Sequence, residues 1–343
     1  MIGSTRTPAR TLALAAMAAV LGVALLAGCS AKPATTTNAT GDATTGTPAP
    51  AAIPVKIGTL ATEDSLPLWV AEKMGYYSIE GIPKVEIVPF QSAQERDVAL
   101  ASGAIDGFMG DLIAAGNLSA SGKGVKVATI MLGADQSQGR FGIVVPPQST
   151  VTDLKALAGV PVGTSSATIQ EYVLDGLMDE AGVAADQVKV EEVKKVPVRF
   201  ELLMAGKLKA AALPEPFLTL AETGGAKIVG DDTKAAKNLS QTVLLFSDEY
   251  LAKSGGRTTV DGVLKAWDIA VNDINKNPEN YRELLVEKAR LPKPLATTYK
   301  VQTYPTTVEP SQADVEAVFT WMKAKGYLKT DVAYDQIVGL PKQ

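Results

Sequence analysis

From Ile53 onward, short runs of β-branched and aliphatic residues alternate with segments whose apolar positions recur at helical spacing. The run at residues 55–60 is followed by a helical pattern over 66–73 that stops at Gly75. The run at 160–164 is followed by one over 169–180 that stops at Gly182. A glycine just past the last helical residue is the expected C-terminal signal, because it enters the left-handed region without a Cβ penalty. Strands are predicted next at 84–88 and 188–193, then helices at 93–101 and 198–205, ending near Gly103 and Gly206. Strands at 104–109 and 208–213 complete each set, and a further strand is predicted at 125–132. Towards the C-terminus, residues 260–274, 281–289 and 314–325 read as amphipathic helices that buttress the first half. Pro292, Pro294, Pro305 and Pro310 interrupt the stretch between them.

These elements repeat. Gly58 to Gly103 spans 45 positions and Gly163 to Gly206 spans 43, with the same strand, helix, strand, helix, strand order in each. Two βαβαβ units of nearly equal size predict an α/β protein of two similar lobes, each with a mostly parallel sheet flanked by helices. In open sheets of this kind, ligands sit beyond the carboxyl ends of the strands, where loops lead into helix N-termini. Two lobes facing each other would place their strand-end loops, at 59–65, 90–94, 110–111, 163–168 and 214–217, across one shared cleft.

The N-terminus carries a different pattern. Arg6 and Arg10 precede an unbroken apolar run of 16 residues, 12–27, ending in Leu26-Ala27-Gly28-Cys29-Ser30. A positive segment, a short apolar segment and small residues describe a secretory signal. The run is shorter than the roughly 20 residues that span hydrocarbon comfortably. Leu26-Ala27-Gly28-Cys29 resembles the lipobox of bacterial lipoproteins, in which the cysteine is diacylated and becomes the new N-terminus. That resemblance implies a signal peptide at 1–28, lipidation at Cys29 and an extracytoplasmic, membrane-anchored product. Residues 31–52 hold Ala, Thr, Pro, Gly and a few polar residues, with no face to bury, so 29–52 is expected to be a disordered tether. Such a tether reaches on the order of 25 Å.

Composition removes several classes of chemistry. The 343 residues contain no histidine and one cysteine, Cys29. A His general base, an imidazole metal ligand, a Cys-His pair and an intrachain disulfide are therefore excluded. The formal net charge is −4, and no basic cluster is present that tracks a phosphate backbone, so nucleic acid is not an expected partner. No cofactor or metal is expected.

The predicted cleft loops carry mixed chemistry. Ser165, Ser166 and Thr168, and Gln91 with Ser92, precede helix N-termini, where backbone N–H groups and hydroxyls suit a sulfonate, carboxylate, nitrate or phosphate. Capping of the helix accounts for the same residues equally well. Glu63, Asp64, Asp111 and Glu215 point the other way, since a buried carboxylate needs a partner such as a ligand ammonium or ring N–H. Glu63 and Asp64 can equally favour the start of the next helix. Thr62 and Ser65 lie on the same loop. Arg140, after the polar loop 135–139, is a candidate anion clamp or carboxylate partner. Trp69, Phe90, Phe141, Tyr172 and Phe217 are candidates to stack on a planar ligand, a role that competes with plain core packing. Two ligand classes stay open: a small anion or zwitterion of the taurine or alkanesulfonate type, and a planar pyrimidine-like heterocycle.

Three segments look familiar together. Leu66-Pro67-Leu68-Trp69-Val70-Ala71-Glu72-Lys73-Met74-Gly75-Tyr76-Tyr77, Ala99-Leu100-Ala101-Ser102-Gly103-Ala104-Ile105-Asp106-Gly107 and Pro214-Glu215-Pro216-Phe217 resemble, in this order and spacing, the nitrate, sulfonate, taurine and thiamine-precursor solute-binding family. The likeness runs from about Val55 to about Asn277. It implies a type II periplasmic-binding fold, two lobes joined by two crossing strands, working as a monomer with an ABC permease and ATPase and catalysing nothing. The crossings would lie at 143–146 and 243–246, giving a first lobe of 53–143 plus 246–343 and a second of 144–245. Lys209 stands where the family usually has Asp, and Gly107 where Ala is common; both are expected to lie away from the ligand. A ligand-sensing surface lipoprotein and an enzyme on the same fold are the competing classes, and neighbouring genes for a permease and ATPase, or for a receptor kinase, would discriminate transport from sensing.

Overall fold

The computed structural model of the protein describes residues 49–293 and 295–341. The expected signal segment 1–28, Cys29, most of the tether and Pro294 lie outside the described residues. Among the described residues, ten strands form two five-stranded sheets. The first sheet contains β1 (Val55–Leu60), β2 (Val85–Phe90), β3 (Gly107–Asp111), β4 (Val125–Leu132) and β10 (Thr242–Ser247), in the order β2-β1-β3-β10-β4. The second contains β5 (Phe141–Val145), β6 (Pro161–Thr164), β7 (Lys189–Glu192), β8 (Ala210–Pro214) and β9 (Lys227–Asp231), in the order β7-β6-β8-β5-β9.

The sheets are copies of one plan. β1 pairs in parallel with β2 and β3, and β6 in parallel with β7 and β8. In each sheet the fourth position is taken by an antiparallel strand that has just arrived from the other lobe: β10 beside β3, and β5 beside β8. The predicted repeat extends to single atoms. A Cβ on Gly58 would lie 2.7 Å from Ile105 Cδ1 and 3.4 Å from Arg96 Cγ, and one on Gly163 would lie 2.7 Å from Leu208 Cδ1 and 3.5 Å from Arg199 Cγ. Glycine fits at both places because a buried aliphatic side chain, Ile105 or Leu208, closes over the strand, with the arginine stem in ordinary contact beside it.

The chain passes between the lobes at 133–140 and 232–241. The crossings expected at 143–146 and 243–246 fall at the end of β5 and inside β10, so Phe141–Val145 belongs to the second sheet and Thr242–Ser247 to the first. Apolar periodicity marks the inserted strands well and leaves the polar passages unmarked. Gly107, one of the two departures from the family pattern, packs against β10: a Cβ there would meet Phe246 Cδ1 at 2.4 Å. Lys209, the other, is exposed.

The C-terminal helices touch both lobes. Helix Gly256–Lys276 buries Trp267 completely among first-lobe residues, and the indole Nε1 donates to Pro305 O at 3.1 Å. Val286, Ala289, Leu291 and Leu295 instead share a hydrophobic cluster with Val144, Leu203, Leu213 and Phe217 of the second lobe. Helix Gln312–Ala324 reaches the second-lobe helix Ile169–Glu180: Trp321 Nε1 donates to Asp175 at 2.8 Å, and Lys325 bridges Glu171 and Asp175 at 2.8 and 2.9 Å. The helices buttress the first half, as their pattern predicts, and reach the second half as well. They clasp the two halves together.

Candidate functional site

Strand-end loops of both lobes converge on a narrow cavity of about 30 Å³, partly open to solvent. The first lobe contributes Thr62, Asp64, Arg96 and Asp111; the second contributes Phe141, Ser165, Thr168, Gln170 and Lys194. A wider chamber of about 600 Å³, also partly open, adjoins it and shares Leu60, Thr62 and Val196 as walls. Trp69, Phe90, Phe200 and Phe217 line that chamber, with Gln91 and the segment 287–292 at its edge.

Local structure positions each side chain. Asp111 ends β3 and caps helix Leu112–Ala120, accepting from Ala114 N at 2.7 Å. Burial pushes its carboxyl above the usual range, against the opposing pull of Arg96. Asp64 accepts from Thr62 Oγ1 at 2.6 Å and is likewise raised by burial. Ser65 is fully buried and donates to Leu60 O at 3.1 Å, which fixes the loop and turns its side chain to the chain itself.

The helix N-termini expected to receive an anion are already filled by the protein's own carboxylates. Ser166 donates through N and Oγ to Glu192 Oε2 at 3.0 and 2.7 Å, and Ala167 N donates to Glu171 Oε2 at 2.7 Å. Gln91 N donates to Glu95 Oε2 at 3.2 Å, while Ser92 Oγ caps the helix by accepting from Glu95 N at 3.3 Å. Ser165 joins the lobes by accepting from Gln94 Nε2 at 2.8 Å, and Thr168 donates to Ser165 O at 2.7 Å.

Glu63 and Glu215 lie at the hinge side of the cleft and are engaged internally. Glu63 accepts from Tyr299 Oη and from Gln302 N at 2.7 Å, and its own N donates to Glu215 O at 3.3 Å across the lobes. Burial first, and the nearby Glu215 second, raise the Glu63 carboxyl to about 8. Glu215 accepts from Thr219 Oγ1 at 2.8 Å and from Arg140 Nη1 at 3.3 Å. Arg140 is thus paired with a carboxylate, with its side chain 24% exposed. Among the aromatic candidates, Trp69, Phe90 and Phe217 face the wide chamber and Phe141 the narrow cavity. Tyr172 packs edge-on against Trp321 at 5.2 Å, in the clasp.

Sequence reasoning missed Arg96, Gln170, Lys194 and Phe200. Arg96 is 1% exposed; its Nη1 donates to Met109 O at 2.8 Å and its Nη2 to Asp97 at 2.8 Å. Arg199, 103 positions later, donates to Ala212 O at 2.8 Å in the same way. The repeat itself contained this signal, since both arginines fall at one point of it. Among the described residues, no group of three or more His, Cys, Asp and Glu side chains is placed to hold a metal ion, and no helix is long and apolar enough to cross a membrane.

A family model described as "NMT1-like family" matches residues 48–286. No curated protein sequence matches the chain significantly. Solved structures share its fold. The alkanesulfonate-binding protein SsuA from Xanthomonas axonopodis pv. citri, bound to MOPS, is 19% identical, with a TM-score of 0.70 over 85% of this chain and 99% of that one. The periplasmic aliphatic sulphonate binding protein SsuA from Escherichia coli is 20% identical, with a TM-score of 0.68 over 84% and 93%. The periplasmic nitrate-binding protein NrtA from Synechocystis PCC 6803 is 16% identical, with a TM-score of 0.63 over 84% and 87%.

Proposed function

This chain belongs to the NMT1-like family, and from that premise we propose that it is an extracytoplasmic solute-binding lipoprotein that captures a small polar ligand between its lobes and delivers it to an ABC importer. The observation that carries the reading is a pair of adjoining cavities whose lining residues come from both lobes, at the strand ends where ligands of open α/β sheets sit. The permease and ATPase subunits of the importer are the partners, the protein acts as a monomer, and no catalytic step is assigned to it. Similar structures named for sulfonate and nitrate binding support the transport class.

Of the two ligand classes, the buried Asp64 and Asp111 favour a compound with N–H donors over a bare inorganic anion. A thermal-shift panel of sulfonates, nitrate, taurine and pyrimidines tests the reading. Saturation at 100 times the dissociation constant stabilises the folded state by about 2.7 kcal/mol, a rise of a few degrees in Tm. A flat response to every compound would remove the solute-binding function.

Anchoring through Cys29 rests on the lipobox-like tetrad and on its being the single cysteine. The variant Cys29→Ser is expected to appear in the soluble extracytoplasmic fraction, read by immunoblot after membrane sedimentation. Retention in the pellet would favour an uncleaved apolar anchor instead.

A further inference from the structure

Polar ties between the lobes differ in strength. At the cleft mouth Lys195 meets Glu95 at 3.0 Å, but the two side chains are 45% and 42% exposed, and water screens such a pair. Gln94 and Ser165 share one neutral hydrogen bond, and Asn117 Nδ2 reaches Ala167 O at 3.4 Å. The end of helix Gln312–Ala324 is built differently. Its apolar face packs on first-lobe helix Leu112–Ala120, where a Cβ on Gly116 would lie 2.9 Å from Phe319 Cε1. Beyond that contact, three donors converge on two carboxylates of second-lobe helix Ile169–Glu180. Trp321 Nε1 and Lys325 Nζ meet Asp175, and Lys325 Nζ and Tyr327 Oη meet Glu171. Glu171 is 2% exposed, and Trp321 meets Tyr172 and Tyr327 edge-on at 5.2 and 5.7 Å. Charge-assisted bonds to a carboxylate withdrawn from water are stronger than the exposed pair at the mouth.

The same cluster runs into the cleft. Glu171 Oε2 also accepts from Ala167 N at 2.7 Å, and Ala167 sits at φ +56°, a left-handed conformation uncommon for alanine. Ser165 and Thr168, on either side of it, line the narrow cavity. Lys325 and Tyr327 thus act on the cleft loop through one carboxylate. At its other end the helix adjoins the second interlobe passage, where Gln241 Nε2 donates to Asp314 Oδ2 at 3.0 Å. Trp321 and Lys325 lie two to three turns further along, roughly 10 to 16 Å from that passage.

Resting on the solute-binding reading above, we propose that Trp321, Lys325 and Tyr327 form a latch that holds the lobes closed before any solute enters. The latch must release for the lobes to part, and while shut it positions the loop 165–168. A solute then stabilises an arrangement that the chain already holds, so residues outside the cleft contribute to its affinity.

Spin labels at Val98→Cys and Val198→Cys test the latch. Both positions are exposed, one on first-lobe helix Ala93–Ala101 and the other on second-lobe helix Val196–Met204. In the full chain carrying Cys29→Ser these are the only thiols, and double electron–electron resonance reads the interlobe distance with no solute added. The parent is expected to give one short distance. Trp321→Phe combined with Lys325→Met and Tyr327→Phe keeps the apolar bulk and removes all three donors. That variant is expected to show a second, longer distance, with the open-to-closed ratio raised at least about tenfold. Asp175→Asn weakens the latch from the second lobe and should shift the ratio the same way, which keeps the test intact if the triple variant folds poorly. Lys325→Arg, which preserves the charge, should keep the parent distance. A single short distance in both latch variants would overturn the inference, as would a parent already spread over two distances. These results are read without solute and leave the solute-binding reading untouched, whereas a silent solute panel would defeat that reading without altering the distances.

Discussion

Raising the pH of the folded domain from about 4.5 to about 8 is expected to lower its stability by on the order of 3–5 kcal/mol through Glu63 alone. Glu63 is 1% exposed, and it faces Glu215, Asp64, Tyr299 and Tyr304. Burial and the neighbouring carboxylates favour its neutral form, so the folded chain keeps a proton that the unfolded chain releases above about 4.5. The stabilisation is complete below that point, is lost progressively as pH rises to about 8, and changes no further above it. Asp232, raised by burial to about 7, adds a slope of the same sign over its own window. Asp64, Asp111 and Glu215 are raised in the same direction. Urea midpoints at pH 5, 6.5 and 8 check this, with Glu63→Gln as control. The amide keeps an acceptor for Gln302 N and carries no charge, so its profile should be flatter and its stability at pH 8 higher. Parallel profiles for the two proteins would show that Glu63 is not the source.

Arg199→Ala is expected to destabilise the fold by about 3–5 kcal/mol. The side chain is fully buried; it donates to Val193 O at 3.0 and 2.7 Å and to Ala212 O at 2.8 Å, and also contacts Gln170. Truncation removes the donors to the carbonyls of Val193 and Ala212 and leaves a cavity behind β6, where Gly163 has made room for the arginine stem. Arg199→Lys should recover only part of the loss, because one ammonium cannot reach both carbonyls with the planar fork. Chemical denaturation measures both variants, and a loss below about 1 kcal/mol for Arg199→Ala would show that water replaces the guanidinium at no great penalty.

The sequence was most legible where local rules act. Helices Ala93–Ala101 and Ile169–Glu180 and strand β4 begin and end where the hydrophobic pattern and the terminal glycines place them. β3 and β8 start two to three residues later than predicted. Ile105 and Leu208 are buried and so extend the apolar run, but they precede the first ladder bonds, and the pattern registers burial rather than pairing. Arg96 and Arg199 escaped notice because a lone charged residue within a helical pattern ordinarily faces water. Only their shared position in the repeat distinguishes them.

What the residues determine by themselves is the duplicated βαβαβ plan, the helix stops, and the exclusion of histidine and thiol-pair chemistry. Each follows from periodicity or composition within a short window. Tertiary structure decided which charges are buried and with whom. Glu63 meets Tyr299 across 236 positions, Arg140 meets Glu215 across 75, and Ser166 meets Glu192 across 26. Such pairings depend on how two sheets and a returning C-terminal segment close around a cleft. The cost of desolvating a charge, which sets the character of that cleft, exists only once the chain has folded.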